Sequence, residues 1–129
     1  IDEDKSGGKH QYSHNAFAYH ISHATQNAYD VSTDHSAAIF DHVTTAIVQE
    51  GDIYRWEMAI DVYDDTYSES KNNTPLLLTN GKLLGFTLAY CDNDTGRRNA
   101  FVGSKSKHGM NNDEGYINAD VFGTLELVD

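Results

Sequence analysis

Residues 43–60 read VTTAIVQEGDIYRWEMAI, and this stretch decides the fold class. Val43 to Gln49 and Ile53 to Ile60 are both rich in β-branched and aromatic residues, and they flank the short glycine-containing turn EGD. Two such runs around a tight turn predict a β-hairpin. On the second arm Tyr54, Trp56, Met58 and Ile60 fall on one face, with Arg55 and Glu57 on the other. That period of two belongs to a strand with one buried side, so Trp56 is expected in the core.

The same pattern recurs outward from the hairpin. In HNAFAYHI, Phe17, Tyr19 and Ile21 alternate with smaller or polar residues, which predicts an earlier strand. KLLGFTLAYC sets Phe86, Leu88 and Tyr90 on one face against Thr87 and Ala89, and FGTLELV reads as a closing strand. Polar connections fill 61–74, 92–99 and 104–120, the first ending at the single proline, Pro75. A helical turn is possible around SAAIFDHV, and nothing else persists at helical period. Short strands joined by polar, glycine-bearing loops predict an all-β chain, an antiparallel β-sandwich.

A chain of 129 residues is long enough for one core and not for two, so residues 1–129 are expected to form a single domain. Nine Lys and Arg against twenty Asp and Glu give a net charge of −11, which argues against nucleic acid as a partner. An acidic surface suits cations, neutral ligands such as sugars, or solubility. Cys91 is alone, so it has no internal disulfide partner. No apolar run approaches the length of a membrane span. The sequence opens at Ile1 with neither methionine nor signal peptide, which processing or fragmentation would explain.

Acid-rich bends carry the metal hypothesis. DEDKSGG matches the first half of a calcium loop: Asp2, Asp4 and Ser6 offer oxygens, and Gly7 permits the sharp turn. The match then stops, because position twelve of the loop is Ser13 where an EF-hand needs a bidentate Glu. A solvated acidic turn is the competing reading. CDNDTGRR repeats the theme with Asp92 and Asp94, and there a turn whose acids pair with Arg97 and Arg98 competes with a second calcium site. The seven histidines raise zinc, through His10 with His14 and His20 with His23. On an extended chain His14 and His20 stand about 20 Å apart, so surface histidines are expected instead.

Catalysis finds no motif: no phosphate loop, no G-x-S-x-G and no H-E-x-x-H. Cys91 lies beside Asp92, whose charge works against a reactive thiolate, so a structural thiol is expected. Glycoside hydrolysis needs two carboxylates facing each other, and no spacing here establishes such a pair. NNT at Asn72 and NDT at Asn93 fit the glycosylation sequon, a pattern short enough to arise by chance. Tyr116, between NNDEG and INADVFG, is the more useful clue. A ring held on a loop at a sandwich edge is able to stack on a sugar, or simply to pack.

Taken in order, IDEDKSGG, AFAYHI, EGDIYRWEMAI, GKLLGFTLAYCDNDTGRR and YINADVFGTLELV resemble carbohydrate-binding module family 9, in the variant found in secreted bacterial proteins. The resemblance covers nearly the whole chain. It implies a jelly-roll-like β-sandwich, structural calcium, and a non-catalytic, extracellular domain whose partner is a polysaccharide or oligosaccharide. It places Tyr116 where sugar-clamping members have a tryptophan, with Asp113, Arg97 and Arg98 as expected sugar contacts. It also raises the calcium reading of Asp2, Asp4, Ser6, Asp92 and Asp94. Members begin well before an opening like this one, so the chain is expected to be the C-terminal portion of such a domain, lacking its N-terminal strands. A longer polypeptide or a neighbouring subunit would then complete it. The first aromatic of the clamp is absent, and Ala18 stands where sugar-binding members place an arginine. Those departures keep open a second reading, a cell-surface structural or assembly protein that retains the sandwich without sugar.

Overall fold

The computed structural model describes residues 1–93, 96–104 and 112–129. The longest pairing in it is the hairpin: β4 (Val43–Glu50) runs antiparallel to β5 (Ile53–Ile60), from Val43 opposite Ile60 to Glu50 opposite Ile53. That register leaves Gly51 and Asp52 as a two-residue turn, and Gly51 takes φ +61°. A positive φ at the first turn position matches the right-handed twist of the flanking strands, which is why glycine sits there.

Around the hairpin, β1 (His20–Ile21), β2 (Ala28–Val31) and β3 (Ala37–Phe40) form an antiparallel three-stranded sheet. β6 (Leu83–Phe86) pairs with β9 (Gly123–Glu126), and β7 (Ala89–Asp92) with β8 (Ala100–Gly103). Two 3-10 turns, Asn112–Glu114 and Ala119–Val121, are the only helical elements among the described residues. The chain is therefore all-β and antiparallel, consistent with a β-sandwich.

Three local expectations change. The SAAIFDHV segment forms β3 and not a helical turn, because β2 offers Ala37–Phe40 a full register of partners. The strand expected over HNAFAYHI shrinks to His20–Ile21. Phe17 instead exchanges backbone hydrogen bonds with Ile1 at 2.8 and 2.7 Å. KLLGFTLAYC breaks at Thr87–Leu88 into β6 and β7, which bond to different partners.

Two apolar clusters hold the molecule. Ala16, Ala119, Val121 and Phe122 pack together, Val121 fully sealed. Phe17, Ala28, Phe40 and Val43 form the other, with Tyr19, Tyr63 and Tyr67 against them. His42 is buried in this aromatic group and shares a 3.0 Å hydrogen bond with the Tyr19 hydroxyl. His14 stacks on Phe17 and meets Glu69 at 3.0 Å. The expectation of surface histidines thus fails at His10 and His42, each of which finds a polar partner and aromatic neighbours inside the fold.

Candidate functional site

The acidic opening is stitched to two distant parts of the chain. Asp2 exchanges backbone hydrogen bonds with Gly85 at 2.9 and 2.7 Å, and its side chain is sealed against that glycine. A Cβ at position 85 would lie 2.9 Å from the Asp2 Cβ, so only glycine lets the two backbones approach. Asp2 Oδ2 accepts from the Gly7 N–H at 2.7 Å, and Asp4 Oδ1 accepts from the Ser6 N–H at 2.9 Å. On the far side Asp120 Oδ1 accepts from the Gly8 N–H at 2.9 Å. Gly7 has φ +76°, and any Cβ there would stand 2.6 Å from that same Asp120 oxygen.

Electrostatics separates the two acids of this bend. Burial pushes the Asp2 carboxyl above the ordinary aspartate range, and the neighbouring Asp4 adds to the rise. The Ser6 hydroxyl and N–H hold exposed Asp4 below it. Asp2 Oδ1 is buried without a hydrogen-bond partner. Among the described residues no three His, Cys, Asp or Glu side chains are grouped to hold a metal ion. Asp92 closes the β7–β8 end through its carbonyl, which accepts from the Asn99 N–H at 3.0 Å. Asp94 lies outside the described residues.

Next to the bend, the chain runs alongside the loop that carries Tyr116. Gly8 O accepts from the Ala119 N–H at 2.8 Å, Lys9 bridges to Asn118, and the His10 N–H donates to Ile117 O at 3.0 Å. Within the loop the Ile117 and Asn118 N–H groups both donate to Glu114 O at 3.0 Å. This backbone leaves Tyr116 51 % exposed, so its ring is available to a ligand.

Tyr116 stands on the wall of a cavity of about 430 Å³. Arg98 and Asp113 line the same cavity and form a bidentate pair, Nη1 to Oδ1 at 2.5 Å and Nη2 to Oδ2 at 2.6 Å. Each holds the other charged: Asp113 lies below the usual carboxylate range, and the Arg98 guanidinium is raised. Arg98 also sits 5.1 Å above the Phe101 ring. The spacing offered Asp92 as a partner for Arg98, and Arg98 pairs with Asp113, fifteen residues along the chain. Arg97 is exposed and does not line the cavity.

The inner wall is apolar. Trp56, Met58 and Ile60 face it from β5, and Ala89 and Cys91 from β7. Cys91 is exposed and lines the cavity, while Tyr90 on the other face of β7 is 54 % exposed. Trp56 is therefore not sealed in the core. It is half-buried on the cavity wall, edge-on to Tyr90 with ring centroids 6.5 Å apart. Asp120 and Phe101 were not singled out by spacing, and His10 was raised only as half of a zinc pair with His14. Asp120 and Gly8 are 112 residues apart, a contact that only the folded chain reveals.

The all-β antiparallel chain thus sets a half-exposed tyrosine and a bidentate polar pair on the wall of one aromatic-lined cavity. A family model described as carbohydrate family 9 binding domain-like matches residues 1–129, and the chain belongs to that family. Neither curated proteins nor solved structures gave a match. No helix among the described residues is long and apolar enough to cross a membrane.

Proposed function

We propose that this chain is a non-catalytic, extracellular carbohydrate-binding domain that contacts a polysaccharide or oligosaccharide through Tyr116, Arg98 and Asp113. One observation carries the reading: these three residues share the wall of one cavity, with Tyr116 half-exposed. Tyr116 supplies a π-face for the C–H-rich side of a sugar. Two of the five Arg98 N–H groups are spent on Asp113, which leaves donors for sugar hydroxyls and fixes the guanidinium plane. A glycan array, with reducing-sugar release followed in parallel, tests the proposal. Saturable binding that disappears in Tyr116→Ala, without release of sugar, is the expected result. Binding that survives the substitution, or hydrolysis, overturns it.

Calcium belongs to the same proposal. The orphaned Asp2 Oδ1 is what supports it: a buried carboxylate oxygen without a donor suits a cation. Asp2, Asp4 and Ser6 would hold the ion, and Asp92 and Asp94 would serve a second. With no third acidic side chain grouped at the bend, backbone carbonyls and water complete the six to eight oxygens calcium takes. When bound, the ion neutralises the acids and ties the bend to the fold. Excess calcium at a hundred times its Kd then adds about 2.7 kcal/mol. A chelator should lower the Tm of the native protein and leave the double variant Asp2→Asn, Asp92→Asn unaffected. Equal melting with and without chelator removes calcium from the account.

A specific observation also favours the second reading, a cell-surface assembly protein. Val48, Ile53, Leu88 and Val102 are each more than half exposed, and Val48 and Ile53 share the hairpin face turned away from Trp56. An open, apolar sheet face of this kind is suited to a covering strand. The strand would come from a longer polypeptide or a neighbouring subunit. Intact mass and sedimentation of the native protein discriminate: a monomer near 14.4 kDa contradicts a covering strand from either source.

A further inference from the structure

Tyr116 follows Gly115 in a turn whose own hydrogen bonds fix one side only, through Glu114 O. The other side rests on His10. Its imidazole is 2 % exposed, its Nε2 lies 3.2 Å from Gly115 O, and its ring meets Phe122 with centroids 5.7 Å apart. A carbonyl only accepts, so Nε2 carries the proton and donates. The adjoining backbone repeats the grip, the His10 N–H donating to Ile117 O at 3.0 Å. The two bonds bracket Tyr116 from the residue before it and the residue after it.

We propose that His10 is the positioning residue of the Tyr116 platform: its Nε2–H bond to Gly115 sets the direction in which the tyrosine ring is presented. The inference rests on the glycan reading of Tyr116, and it adds a residue that touches no ligand. Desolvation holds the His10 pKa down at about 4, so the neutral ring persists through the physiological range. Phe122 fills the space behind the ring, so the imidazole has a wall to pack against as well as a carbonyl to bond.

The test places 3-fluorotyrosine at position 116 in the full chain and reads its ¹⁹F resonance at pH 7 in His10→Phe, His10→Asn and His10→Gln. Phe keeps the ring volume without the donor. Asn carries its amide near Nδ1 and falls short of Gly115, whereas Gln reaches the Nε2 position. The Phe and Asn variants should shift and broaden the resonance and weaken retention on a cellulose, xylan and chitin panel about tenfold. The Gln variant should restore both. Val43→Ala, in the other apolar cluster, serves as a control for lost stability alone and should leave the resonance in place. An unchanged resonance in both Phe and Asn variants overturns the proposal, as does an equal displacement in the control. If no wild-type glycan retention exists, the ¹⁹F arm still decides the positioning role while the glycan reading falls separately. If Phe fails to fold, the contrast of Asn with Gln decides.

Discussion

Two regions meet near Tyr116, and they are built differently. On one side, residues 2–10 are clasped to Gly85 and to residues 115–120 by a run of short backbone and carboxylate bonds, over a sealed cluster of Ala119, Val121 and Phe122. On the other, β5, β7 and β8 present Trp56, Met58, Cys91 and Phe101 to an open cavity. The clasp pairs its backbone groups internally and leaves the buried Asp2 Oδ1 without a donor. The cavity wall is built from separate two-stranded pairings and leaves apolar side chains open to the cavity. The difference explains how a small domain holds one aromatic ring out to solvent with a fixed backbone while leaving room beside it.

Substitutions sharpen that contrast. The largest effect belongs to Phe122→Ala, which empties a 3 % exposed position in the sealed cluster and should lower stability by about 3–5 kcal/mol in chemical denaturation. A pH titration comes next. With His10 held at about 4 against 6.5 in the unfolded chain, the unfolded state binds the extra proton between those values. The His10 contribution to stability therefore falls as pH drops from 6.5, by about 2 kcal/mol at pH 5, and is level above 6.5. Buried Asp2, whose pKa is raised, opposes part of this loss because the folded state takes up its proton first. Subtracting the His10→Gln profile isolates the histidine, and superimposable profiles would break the argument.

Smaller changes probe the edges of the clasp. Gly7→Ala combines a positive φ with a 2.6 Å approach to Asp120 and should cost about 1–2 kcal/mol, read from urea midpoints. Pairing it with Asp120→Ala should recover the steric part and not the backbone part. Trp56→Ala, although it removes the largest side chain in the molecule, should cost only about 1 kcal/mol, because the ring lines a void and is not enclosed. A loss equal to that of Phe122→Ala would mean that the cavity is filled in solution.

Much of the scaffold was legible in the sequence where the signal was local. The hairpin needed only Gly51–Asp52 between two β-rich runs, and its eight-pair register follows from that turn. Ala37–Phe40 was misread because a short apolar run without alternation fits either period, and only the partner strand β2 decides. The kink at Thr87–Leu88 carries no proline or turn signal, so the period of two was extended through it from Phe86 to Tyr90. At the site, Tyr116 stood out as an aromatic in a polar loop. Arg98 and Asp113 were flagged separately, and their pairing is tertiary. The His10 and Asp120 contacts escaped because the partners, Gly115 and Gly8, lie 105 and 112 residues away.

Native-state amide hydrogen exchange tests the central claim most directly, since it reads each backbone bond of both regions in one experiment. The account predicts slow exchange at Asp2, Gly7, Gly8, His10, Gly85 and Ala119, and fast exchange along β7 and β8. Rapid exchange at the clasp together with strong protection of β7 and β8 would contradict it.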